Sequence, residues 1–151
     1  MPALIECVPN FSEGRDPELI RRITDRIQSV EGATLLHVDP GVATNRTVVT
    51  FAGAPEPVLE AAFQAIRAAA ELIDMRNHHG AHPRMGATDV CPLVPLSGIT
   101  LAETAVFVPA PGGSARLLLE ARSSGCAIAD PAGLAEWMVL LVRLFICGSF
   151  A

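Results

Sequence analysis

Three of the four histidines in this 151-residue chain fall within five positions of one another, at His78, His79 and His82. They lie in the stretch NHHGAHPRMGATDVCP, residues 77–92, which also carries Arg84 and Asp89. Imidazole titrates near neutral pH, so such a cluster suits general acid/base work. His82 is the strongest single candidate, because Pro83 restricts the residue before it to extended backbone. In that geometry Arg84, two residues on, projects from the same side. There it suits anchoring a carboxylate beside a general acid. The competing reading makes His82 an exposed or backbone-bonded loop residue and Arg84 a surface cation paired with Asp89 or Glu56.

Other polar residues stand at strand edges. Asp39, in the tripeptide Asp39-Pro40-Gly41, is a turn former on local sequence. Alternatively it is a carboxylate that orients an imidazole and favours its protonated form. Asn10, Asn45, Arg46 and His78 are candidate substrate contacts, each with an edge-capping or turn role as the plainer alternative. The H-H-x-x-H spacing invites a metal, but it is not the helical i, i+4 pair of H-E-x-x-H, and Gly80 argues against helix. We expect no metal. Cys91 sits in an apolar strand setting that raises rather than lowers a thiol pKa, which disfavours a nucleophile. Gly112-Gly113 lacks the G-x-G-x-x-G pattern of a nucleotide cradle.

The elements that must position these residues follow from the apolar pattern. Residues 3–8 read as a strand ended by Pro9-Asn10. Asp16-Pro17-Glu18 opens a helix with Leu19, Ile20, Ile23, Ile27 and Val30 at helical spacing, closed by Gly32. Residues 34–38 make a second strand ending at the Asp39-Pro40-Gly41 turn, and residues 47–51 a third. Residues 55–75 form the clearest helix, and residues 87–94 a fourth strand. The order β-α-β-β-α-β predicts an α/β (α+β) fold, a ferredoxin-like split β-α-β sandwich with one mixed sheet and helices on one face. The other face then needs a cover. Thr100-Leu101-Ala102-Glu103 is a capping box that starts a third helix. Further on, Pro109, Pro111, Gly112 and Gly113 break it; residues 114–123 read as helix, 126–129 as a short strand, and Asp130-Pro131 as the start of an apolar helix.

Composition bounds the function. The chain fits one domain. Half its residues are apolar, and a net charge of -5 without a single Lys argues against a nucleic-acid partner. The four cysteines (7, 91, 126 and 147) form no C-x-x-C pair, and no signal segment or membrane-length apolar run is present. We expect a cytoplasmic protein with reduced thiols and no membrane partner.

The blocks ECVPNFSEG (6–14), DPG with TNRTVVTFAG (39–53) and LIDMRNHHGAHPRMGATDVCPLVPL (72–96) resemble the N-terminal subdomain of glutamate formiminotransferase, the folate enzyme also found fused to a cyclodeaminase. The resemblance runs nearly without a gap over residues 1–105. It implies transfer of a formimino group from N-formimino-L-glutamate to N5 of tetrahydrofolate, a step of histidine breakdown in one-carbon metabolism. Tetrahydrofolate is a co-substrate, and no metal takes part. By the same resemblance His82 is the acid/base residue, Asp39 the carboxylate close to it, and Arg84 the neighbouring arginine of the pocket. Formyl transfer between 5-formyltetrahydrofolate and glutamate could use the same histidine. Ala81 departs from the family, which commonly has Glu there.

Residues 106–151 resemble neither subdomain of the family. Their Pro/Gly break and apolar end suit a divergent, out-of-frame or spliced-in tail, which intact mass and the neighbouring coding sequence would test. The family's second subdomain, whose sheet faces the first across the folate, is expected to be absent. Three readings follow: a formimidoyltransferase, whose lone first subdomain holds half a site; a non-catalytic binding or interaction module; and a truncated product that retains the fold. A homodimer or a separate chain supplying the second subdomain would complete the site.

Overall fold

A computed structural model of the protein describes residues 1–81 and 86–106. Its elements are β1 (Leu4–Cys7), β2 (Asn10–Phe11), α1 (Pro17–Gln28), β3 (Ala33–Gly41), β4 (Arg46–Gly53), α2 (Pro55–Leu72), a 3-10 turn (Met75–Asn77), β5 (Thr88–Val90), β6 (Leu93–Ser97) and α3 (Leu101–Val106). The strands form one sheet, in which β4 joins β3 to β1 and β2, and these in turn pair with β6 and β5.

The first expected strand ends before Pro9 as read, but the chain resumes pairing beyond it as β2, and the fourth is interrupted at Cys91-Pro92, between β5 and β6. Register survives both breaks. Ile5, Cys7 and Asn10 pair with Gly53, Phe51 and Val48 in one unbroken ladder. The Pro92 carbonyl bridges the gap by accepting from Val8 N at 3.1 Å. With the halves joined, the strand order is 4-1-3-2, the expected split sandwich. Every pairing among the described strands is antiparallel, so the expected mixed sheet is corrected. Each helical crossover skips one strand, so parallel strands never become neighbours.

The turn between β3 and β4 is also displaced from the sequence expectation. Asp39, Pro40 and Gly41 continue β3 and pair with Val48, Thr47 and Arg46. Proline is tolerated there because β3 lies at the edge, where its missing N–H costs no ladder bond. Residues 42–45 make the turn instead. Thr44 Oγ1 donates to the Gly41 carbonyl at 3.1 Å, and Asn45 takes a left-handed φ of 50°. Asn tolerates that region better than most residues.

Helix α1 starts where Asp16 accepts hydrogen bonds from the Glu18 and Leu19 amides, at 2.9 and 3.1 Å. It buries Ile20, Ile23 and Ile27. Helix α2 packs through Val58, Ile66 and a series of buried alanines, Ala61, Ala62, Ala65, Ala68 and Ala69. It ends at Leu72, short of the expected Met75, because Ile73 turns extended and Asp74 caps the 3-10 turn by accepting from Arg76 N. Both helices cover one sheet face, where Ile5, Cys7, Phe11, Val49 and Phe51 are buried. At α3 the capping box forms as expected: Glu103 accepts from Thr100 N at 2.8 Å, and Thr100 Oγ1 accepts from Glu103 N at 3.3 Å. The expected breaks, helices and strand beyond residue 106 lie outside the described residues.

Candidate active site

Alternation along the strands sends one set of side chains into the helices and the other to the opposite face. On that opposite face, register sets Val90, Asn10, Val48 and Asp39 in one row across the sheet. Asn10 and Asp39 thus flank Val48, two strand spacings apart, or about 10 Å. Arg46, two residues from Val48 on β4, shares the face. Its guanidinium lies 3.4 Å from the Asp89 carboxylate, with 17% and 8% of the two side chains exposed. Asp89 reaches Arg46 because a bulge between Asn10 and Phe11 leaves it as the extra residue of β5.

Beyond Arg46 lies the hairpin tip, residues 42–45, on which the β2–α1 loop and residues 78–81 converge. Asn45, 6% exposed, accepts at Oδ1 from Gly14 N at 2.9 Å and donates from Nδ2 to the His79 carbonyl at 3.1 Å. His78 turns its ring back so that Nε2 lies 3.1 Å from the Asn45 carbonyl, which places the ring proton on that nitrogen. Ala81 N donates to the Ala43 carbonyl at 3.4 Å. Downstream, Ser12 donates from Oγ to the Gly86 carbonyl at 2.7 Å and from N to the Ala87 carbonyl at 2.9 Å. The two described flanks of residues 82–85 are therefore anchored at the same end of the sheet, one on the hairpin and one on the β2–α1 loop.

Of the residues singled out from sequence, Asn10, Asp39 and Arg46 share the sheet face opposite the helices. Asn45 and His78 stand at the hairpin tip, where the Asn45 amide and His78 Nε2 bond to backbone groups. Asp39 is exposed. His82 and Arg84 lie outside the described residues. Among the described residues no group of three or more His, Cys, Asp or Glu could hold a metal ion. Glu6, His37 and Thr50 also face the open side by register. The sequence reading passed over them, although alternation with Ile5, Cys7, Val49 and Phe51 was the available signal. Ser12, Gly14 and Thr47 were likewise given no role. Thr47 Oγ1 donates to the Glu13 carbonyl, and a Cβ on Gly14 would stand 2.5 Å from Arg46 N and from the Gly41 carbonyl.

Residues 4–116 match the family described as the formiminotransferase domain, N-terminal subdomain. The chain belongs to the formiminotransferase family. The match extends past residue 105, where the sequence reading placed the end of the subdomain. Over 103 residues the chain is 56% identical to the formimidoyltransferase-cyclodeaminase of Sus scrofa, covering 68% of this chain and 19% of that protein. It is 48% identical over 103 residues to the glutamate formimidoyltransferase of Streptococcus pyogenes serotype M1, covering 68% of this chain and 34% of that enzyme. The corresponding enzyme of Thermoplasma acidophilum is 51% identical over 104 residues, 34% of its length. The chain thus spans only a minor part of the formiminotransferase relatives it matches. Among the described residues no helix is long and apolar enough to cross a membrane.

Proposed function

We propose that this formiminotransferase subdomain carries the histidine side of a glutamate formimidoyltransferase site. The reaction is transfer of a formimino group from N-formimino-L-glutamate to N5 of tetrahydrofolate. In this reading N5 attacks the formimino carbon, and the His82 imidazole takes the proton that N5 releases. The new C–N bond gives a tetrahedral centre. The same imidazole, now protonated, delivers its proton to the glutamate nitrogen as the old C–N bond breaks. Glutamate leaves and the folate keeps the one-carbon unit, so atoms and protons balance without an external oxidant or metal. Asp39 acts as the carboxylate that favours the imidazolium, while Arg84 and Arg46 hold substrate carboxylates.

One observation carries this reading: Asn10, Asp39 and Arg46 share the face opposite α1 and α2, at the end where both flanks of residues 82–85 are tied down. A few polar groups converging on one end of the sheet are what a small, charged substrate requires. Asn10 contributes an amide whose Nδ2 already donates to the Val8 carbonyl at 3.2 Å, which orients its oxygen. In this reading folate completes the site against a second surface.

The test is calorimetric titration of the chain with 5-formyltetrahydrofolate, with and without N-formimino-L-glutamate. Saturable binding supports the reading. A folded chain that binds neither compound, alone or together, would leave the transferase as its ancestry and not its activity.

A further inference from the structure

Asn45 was singled out as a possible substrate contact, yet the geometry gives its side chain another task. It stands in the left-handed region, where its side chain is swung toward the protein and not along the strand. Its oxygen must face Gly14, because only an N–H lies there, and its nitrogen must face His79, because only a carbonyl lies there. The amide orientation is therefore fixed by both partners at once. Two segments far apart in sequence, the β2–α1 loop and the chain after the 3-10 turn, meet on this one group. The backbone carbonyl of the same residue receives the His78 ring.

We propose that Asn45 is a positioning residue of the transfer reaction: its single amide clamps Gly14 to His79 across the hairpin tip and so sets where the chain stands three residues before His82. This rests on the function proposed above. The bond to His79 comes from the second side of the amide, so a carboxylate at the same position would keep the Gly14 contact and lose the His79 one. A glycine would keep the backbone conformation and lose both.

The test compares the full 151-residue chain with Asn45→Asp and Asn45→Gly by two readouts. The first is formimino-transfer kinetics. The second is the imidazole NMR spectrum, in which four histidines report separately. Expected are folded variants whose kcat falls at least tenfold, with KM for N-formimino-L-glutamate changed less than twofold. The ring signals of His78, His79 and His82 should move, while His37, on β3, stays. A raised KM at unchanged kcat would make Asn45 a substrate contact and overturn the proposal. So would histidine signals that do not move in either variant. Should Asn45→Gly fail to fold, Asn45→Asp decides alone. Should the parent chain show no turnover, the transferase reading is what fails, and the spectra still decide the clamp.

Discussion

The ion pair of Arg46 and Asp89 joins two strands that are not neighbours, since β2 runs between them. Neither group is far from solvent-free surroundings, and removing one partner leaves the other charge poorly hydrated. Asp89→Asn should lower stability by about 2 kcal/mol, less than for a fully buried pair because Arg46 keeps some solvent contact. The midpoint of urea unfolding measures this, and an unchanged midpoint would show that the pair contributes nothing. A second residue-scale expectation concerns Cys7 and Cys91, whose sulfurs lie 3.5 Å apart in the core. Burial, together with the hydrogen bond to Cys91, pushes the Cys7 thiol well above its ordinary pKa. The thiolate is the reactive form. Cys7 should therefore resist iodoacetamide at pH 8 in the native protein, as should Cys91 because it is buried, and both should react once urea unfolds it, as peptide mapping would show. Native-state labelling of Cys7 would contradict its place under α2.

At the scale of elements, the hairpin tip and the β2–α1 loop are packed backbone to backbone. A methyl group on Gly14 meets the Arg46 amide and the Gly41 carbonyl, neither of which can swing aside. Gly14→Ala should cost about 2–3 kcal/mol, and retention of the parental urea midpoint would refute that packing. The 3-10 turn before the histidines offers a check by pH. Hydrogen bonds from Arg76 hold the Asp74 carboxyl down to about 2. Because the folded pKa is depressed, the turn's contribution is present above the free carboxyl range near 3.9 and is lost as pH falls through about 2. The Arg76 amide resonance should titrate with that low midpoint; a midpoint near ~3.9 would mean that the turn is not formed.

Much of this scale was legible in the sequence, and the exceptions have physical causes. Apolar spacing marked both long helices, and Thr100 with Glu103 marked the third. The tripeptide at residues 39–41 carries the stronger turn composition, yet an edge strand accepts proline, so the turn moved to Asn45. Pro9 and Pro92 interrupt strands without shifting register, which composition alone does not signal. The candidate site was legible as residue types only. That Asn10 and Asp39 share a row depends on pairing between strands distant in sequence, and local pattern carries no information about it.

For the whole molecule, one face of the sheet is sealed by α1 and α2 and the other presents Glu6, Asn10, Asp39, Arg46 and Thr50. Among the described residues the two faces therefore differ, one packed with apolar side chains under the helices and the other carrying charged and amide groups between valines. The relatives extend well beyond the matched region, which covers 34% of the Streptococcus enzyme. The acid/base role proposed for His82 underlies this reading. It is tested most directly by following tetrahydrofolate-dependent loss of N-formimino-L-glutamate with the parent chain and His82→Ala, alongside their urea midpoints. Turnover by the parent is expected, with a kcat about 10²-fold lower or worse in the variant and the midpoint unchanged. A variant that keeps the parental kcat, or loses activity only in proportion to unfolding, would contradict it.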